Sequence, residues 1–112
     1  MTDTLQKTIA IYIAGPMRGH FDFNRGEFNK AEKSLLKTGV FSPVNPAAMD
    51  KESGMSDSEL LTKEGLRKAI RRDIDVLLDC QAIYMLSGWE KSEGARIEHA
   101  LATMLDMTII YQ

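Results

Sequence analysis

Two carboxylates stand where helix patterning calls for apolar side chains, and they are the residues most suited to chemistry. Glu98 lies in the stretch LSGWEKSEGARIEHALATM, Leu86 to Met104, where Ala95, Leu101, Ala102 and Leu105 recur at the three- and four-residue steps of a core-facing helix stripe. Asp73 falls in a second such stripe, Leu66, Ile70, Asp73, Leu77 and Cys80, with Ala69, Ile74 and Val76 alongside. A carboxylate on an apolar face is costly unless something compensates it. Either each makes a structural salt bridge or hydrogen bond, or each is a catalytic group held half-dry with its pKa adjusted to a task. Two such conflicts in one small chain favour chemistry, because residues that break local rules concentrate at functional sites. A pair of carboxylates flanking a crevice suits cleavage of an acetal-like bond, one attacking or stabilising an oxocarbenium-like carbon while the other protonates the leaving group.

The elements that must bring them together can be read in order. Lys7 to Ala14 (KTIAIYIA) is a continuous apolar, β-rich run, as expected of a parallel strand buried on both faces. It breaks at Gly15-Pro16-Met17-Arg18-Gly19, a turn-forming loop. Asn24 and Glu27 have capping-box spacing for a helix that ends near Thr38-Gly39, with Phe28, Ala31, Leu35 and Leu36 on one face. Val40 to Ser42 is a short second strand, and SPVNPAAMDKESGMSDS reads as a long loop that is functional or mobile. Ser56 and Glu59 form a capping box for one helix running to about Cys80, whose Lys68, Arg71, Arg72, Asp75 and Asp79 read as a solvated face. Gln81 to Leu86 (QAIYML) is the third strand. The helix carrying Glu98 follows, with Ser92 as its N-cap, and Thr108 to Tyr111 is a fourth strand.

That alternation predicts an α/β domain over residues 1–112, a doubly wound, flavodoxin- or Rossmann-like parallel sheet of four to five strands with right-handed crossovers and order about 2-1-3-4. Ligands of such sheets bind at the carboxyl ends of the strands, where the order reverses, and here that point lies beneath GPMRG and SGWEKSEG. Asp73, a few turns before the expected end of its helix, sits roughly 10 Å along it at 1.5 Å per residue. The adjoining strand rises roughly 16 Å, so Asp73 can approach the crevice that Glu98 borders. Arg18 at a strand end and Ser92 at a helix N-terminus could together hold a phosphate, or be a surface charge and a simple cap. Trp89 either packs its loop or walls a base pocket.

Composition narrows the classes. With 112 residues, 44% of them apolar and 27% charged, and a net charge of −2, the chain has the make-up of an ordinary globular domain and no basic footprint for a nucleic-acid polymer or an anionic membrane. No apolar run approaches a membrane span, and MTDTLQK does not resemble a signal peptide, so a cytoplasmic location is expected. Cys80 is the single cysteine and reads as a small buried hydrophobe. His20 and His99 lack metal-ligand spacing, and neither GxGxxG nor GxxxxGK[ST] is present; no metal and no cofactor are expected.

Taken together, IYIAGPMRG, RRDIDVLLDCQAIYML and GWEKSEGARIEHALA, in that order and with Asp73 well ahead of Glu98, resemble the nucleoside 2-deoxyribosyltransferase-like superfamily. The likeness is to a compact bacterial and phage branch of it. The resemblance implies that Glu98 is the nucleophile attacking the sugar C1′, that Asp73 assists departure of the base, and that Tyr12 stands beside the nucleophile. It implies that Gly15, Met17, Arg18 and Gly19 belong to the loop contacting substrate. Ser92-x-Gly94-x-x-x-Glu98 is similar to the branch that hydrolyses deoxynucleoside 5′-monophosphates, where serine and arginine hold the phosphate. The expected activity is therefore an N-glycosidase of a nucleotide, with a transferase acting on nucleosides, or a non-catalytic nucleotide-binding module, as alternatives. The expected partners are a small-molecule nucleotide or nucleoside and further copies of the chain, in a dimer or tetramer. Gln81 departs from the pattern, since relatives usually carry an aspartate there, the SGWEKS loop is about one residue longer than in the monophosphate hydrolases, and the chain stops at Gln112, without the C-terminal segment that completes a neighbouring subunit's site in transferases.

Overall fold

The structure, a computed structural model, describes residues 7–112. Four strands form one all-parallel sheet: β1 (Ile9–Ala14), β2 (Phe41–Val44), β3 (Ala82–Met85) and β4 (Thr108–Tyr111), in the order β2-β1-β3-β4. Both the α/β class and the strand order are those read from the sequence. The helices are α1 (Arg25–Lys37), α2 (Pro46–Glu52), α3 (Asp57–Leu60), α4 (Lys63–Leu78) and α5 (Glu93–Met104).

Strand alternation sends successive β1 side chains to opposite faces. Ile11 and Ile13 join Ala82 and Leu86 beneath Phe28, Ala31 and Leu35 of α1 and Ala47 of α2. Tyr12 and Ala14 join Ile83 and Met85 beneath Leu77 of α4 and Ala95 and Ala102 of α5. Because α4 and α5 share one face, residues far apart in sequence can meet over β1. Gln81 closes the start of that seam: its Oε1 accepts from the Ala10 amide at 2.9 Å, and its backbone N–H donates to the Ala10 carbonyl at 3.0 Å. Cys80 is buried, its Sγ donating to the Val76 carbonyl.

Several local expectations are corrected. Asn24 and Glu27 do not form a capping box. Asp22, Phe23 and Asn24 all adopt positive φ (51, 55 and 61°), and the Asn24 amide instead donates to the Pro16 carbonyl at 2.9 Å, fastening the loop after β1. Arg25 braces that left-handed turn, pairing with Asp22 and Asp57 at 2.8 Å each. Leu36 is exposed because its position on α1 has rotated off the core stripe. The segment after β2 is not a loop. Asn45 caps α2 by accepting from the Ala47 and Ala48 amides, and Pro46 occupies the first turn, where its missing N–H costs nothing. The Ser56–Glu59 capping box is present, but it serves only the one-turn α3. Thr62 then caps a separate α4 by accepting from the Gly65 amide at 3.0 Å. The break lets Gly65 lie against the Glu59 carbonyl, where an added Cβ would come within 1.9 Å of that oxygen. Ile70 is exposed, and Arg72 is not on a solvated face.

Candidate active site

Tyr12 is wholly buried at the middle of β1, paired with Val44 on one side and Ile83 on the other. Its side chain crosses to α5, and its hydroxyl donates to Glu98 Oε2 at 2.6 Å. Glu98 reaches that far inward because its stripe neighbours Ala95 and Ala102 present only methyl groups to the sheet, so the helix axis lies close. Ser92 sets the start of α5, its hydroxyl accepting from the Ala95 amide at 3.2 Å.

Asp73 approaches from α4. Arg72 holds one oxygen, with Nε and Nη2 donating to Asp73 Oδ1 at 3.0 and 2.6 Å. The same Nη2 donates to Oδ1 of the buried Asp50 at 2.6 Å and reaches the Pro46 carbonyl at 3.5 Å. The arginine thus ties both ends of α2 to the acid. Each carboxyl has one oxygen anchored and one without a hydrogen bond among the described residues. Neither free oxygen is sealed off, since the only buried side-chain polar atom lacking a partner there is Arg25 Nε.

The electrostatics show that the groups share one microenvironment. Burial pushes Glu98 up to about 8, against the stabilising Tyr12 hydrogen bond and helped by the Asp73 charge. Burial also pushes Asp73 up to about 6, with Arg72 opposing and Asp50 assisting. The Tyr12 hydroxyl is raised by burial and then by Glu98 and Asp73, so it stays a neutral donor. Between those two values the pair carries one proton, as acid–base chemistry requires.

The residues that the sequence suggested for a phosphate and its loop are arranged less completely. Gly15 packs against Leu86, and a Cβ there would come within 2.7 Å of the Leu86 Cβ, so glycine lets the two crevice loops touch. Met17 packs on the core, Gly19 turns the chain at φ 81°, and Gly94 is exposed on the first turn of α5 with open space around it. Arg18 is turned to the end of α3, where its Nη2 donates to the Leu60 carbonyl. Trp89 packs into the core on the α4/α5 side and stacks on His99, ring centroids 4.2 Å apart, while His99 Nε2 shares a hydrogen bond with the Tyr111 hydroxyl at 2.8 Å. A shallow depression of about 380 Å³, lined by Lys68, Arg71, Arg72 and Asp75, touches the site only through Arg72. Among the described residues no group of three or more His, Cys, Asp or Glu is placed to hold a metal ion, and no helix is long and apolar enough to cross a membrane.

A family model described as "Domain of unknown function (DUF4406)" matches residues 9–111, which takes in β1 to β4 and every residue of this cluster. The chain belongs to that family. A search of curated proteins finds no match. Within this member of the family, patterning singled out Glu98 and Asp73, and the motif resemblance supplied Tyr12. Arg72 and Asp50 escaped both. Asp50 carried one usable signal, the Asn45-Pro46 pair that starts a helix four to five residues ahead of it.

Proposed function

We propose that the chain is an N-glycosidase that cleaves the base–sugar bond of a (deoxy)nucleoside 5′-monophosphate. The observation that carries this reading is that Asp73, held by Arg72, lies near enough for its charge to act on both Glu98 and the Tyr12 hydroxyl bonded to it, each carboxyl anchored through one oxygen and free at the other. A nucleophile and an acid each need one oriented and one reactive oxygen. The likeness of IYIAGPMRG and GWEKSEGARIEHALA to the nucleoside 2-deoxyribosyltransferase-like superfamily supports it independently.

In the first step an oxygen of Glu98 bonds to C1′ as the C1′–N bond breaks; the bond pair leaves with the base, which takes the Asp73 proton. In the second, water attacks C1′, gives a proton to the Asp73 carboxylate and releases Glu98. Tyr12 stabilises the Glu98 carboxylate both before attack and on departure. Arg18, freed from the Leu60 carbonyl, and the Ser92 hydroxyl, which still has its proton to donate, are the groups for the phosphate, at the N-terminal end of α5 where the helix dipole favours an anion.

Incubation with a panel of ribo- and deoxynucleoside monophosphates, with and without added free bases, tests this by chromatography. Free base and sugar phosphate in the first set are expected. Base exchange confined to the second set would make the protein a transferase. Nucleotide binding that survives Glu98→Ala, with no turnover by the parent, would make it a binding module. We extend the proposal to a homo-oligomer, supported by exposed Ile70 and Leu78 on α4, Ile97 and Met104 on α5, and Leu105 just after it. Light scattering on the eluted protein reads its mass directly, and a monomer at micromolar concentration would remove that part.

A further inference from the structure

Arg72 is placed between two largely buried acids, Asp73 in the site and Asp50 outside it. Asp50 is 6% exposed on α2, a helix with no part in the carboxyl cluster, yet it takes one N–H of the same Nη2 that holds Asp73. A buried carboxylate is costly, and its retention there needs a reason beyond packing. Without Asp50, the Arg72 guanidinium, whose Nε and Nη2 both donate to Asp73 Oδ1, would act on Asp73 as a full positive neighbour, and a carboxyl so held gives up its proton easily. We propose that Asp50 is a positioning residue for Asp73: by occupying one side of Arg72 it keeps that charge shared, so that Asp73 is aimed by the arginine and still retains the proton it donates to the leaving base.

This rests on Asp73 being the acid of the proposed reaction. The groups facing Asp73 are Arg72 on its own helix, Asp50 on α2, Glu98 on α5 and Tyr12 on β1. Asp50 opposes ionisation of Asp73 by like charge, and Tyr12 leaves it unaided because its hydroxyl is committed to Glu98. Only Arg72 favours the ionised form, and it remains charged, because the Asp50 and Asp73 bonds outweigh the burial that pulls it down. Asp73 accordingly lies above its ordinary range despite a cation in contact, burial being the first cause and the Asp50 charge adding to it. The device also joins α2 to the chemistry, since Arg72 reaches the Pro46 carbonyl at one end of that helix and Asp50 nearer the other.

The test is a direct titration of the Asp73 carboxyl by carbon-13 NMR on the full chain, its resonance identified by its loss in Asp73→Asn. In Asp50→Asn the Asp73 midpoint is expected to fall by about one pH unit, because one full partner charge is handed back to it. In Arg72→Gln it is expected to rise, and in Asp50→Glu to return towards the parent value. An Asp73 midpoint unmoved or raised in Asp50→Asn would overturn the proposal. So would failure of both Asp50→Asn and Asp50→Ser to fold, which would make Asp50 a requirement of the fold. In the activity assay, the limb of the pH–rate profile near 6 should move down by the same amount in Asp50→Asn, with KM within about twofold of the parent. If the parent releases no base from any nucleotide, the glycosidase reading fails while the titration still decides the role of Asp50.

Discussion

The Tyr12 hydroxyl donates to Glu98 Oε2 across 2.6 Å, joining the centre of the first strand to the last helix over 86 positions of sequence. A neutral donor held against a buried carboxyl lowers the cost of ionising it, which is the requirement for a nucleophile in a dry site. Removing that donor in Tyr12→Phe deletes a hydrogen bond to a charged group, worth about 1.5–3 kcal/mol. Base release should fall roughly ten- to a hundredfold, with the limb of the pH–rate profile near 8 displaced upward. Unchanged kinetics in Tyr12→Phe would mean that Glu98 does not act as a carboxylate.

The carboxyl pair sets the pH range of the proposed reaction. The productive form has Glu98 ionised and Asp73 protonated; with Glu98 at about 8 and Asp73 at about 6 this is the less populated of the two arrangements of the one shared proton. Below about 6 both are protonated and the nucleophile is lost; above about 8 both are ionised and the acid is lost. A bell-shaped profile with its plateau between those values is expected from initial rates in a constant-ionic-strength buffer series.

The same two groups also tie stability to pH. Each folded-state pKa lies above its ordinary value of 3.8 or 4.5, so the folded chain binds protons more tightly than the unfolded chain. Their contribution is fully present below about pH 4 and is lost as pH rises through about 6 and then about 8. Thermal melts should therefore drop between pH 5 and pH 8. Glu98→Gln should flatten the upper part of that fall and melt above the parent at pH 8, while losing about a thousandfold or more of the hydrolysis. A Glu98→Gln protein less stable than the parent at pH 8 would show Glu98 to be a structural carboxylate.

Glycine positions separate packing from binding. Gly15→Ala drives a Cβ to 2.7 Å from the root of the Leu86 side chain, and Gly65→Ala drives one to 1.9 Å from the Glu59 carbonyl. Losses of about 1–3 kcal/mol are expected, the larger at Gly65 where backbone must move, with about 4–8 °C of melting temperature for each kcal/mol. Gly94→Ala meets nothing within 4 Å and sits in the first turn of a helix, so it should stabilise the fold by about 0.5–1 kcal/mol. If a phosphate docks at that turn, Gly94→Ala will nonetheless raise KM for nucleotides. Calorimetry and kinetics on the same preparations check both halves.

Much of the architecture was legible because its causes are local. The apolar run of β1, the Ser92 cap and the stripe Ala95–Leu101–Ala102 are decided by neighbours within a few positions, and the alternation of such segments allows few right-handed parallel arrangements. Glu98 and Asp73 were legible for the same reason, as carboxylates breaking a periodic pattern. The helix after β2 was missed because seven residues are too few for a period to emerge, although Asn45 and Pro46 carry a start signal. The left-handed turn at Asp22–Asn24 was missed because its support comes from Pro16, Arg25 and Asp57.

By itself, then, the amino-acid order determined the strands, their parallel order and the two anomalous acids, all products of short-range patterning. Only the tertiary structure decided what those acids touch. Arg72 belongs by periodicity to a solvated face, and Asp50 to a polar stretch between prolines and glycine. A charged side chain reads the same in sequence whether water or a buried partner surrounds it. Their pairing depends on the fold bringing α2 within reach of the Arg72 side chain across 22 positions, and no local rule carries information over that distance.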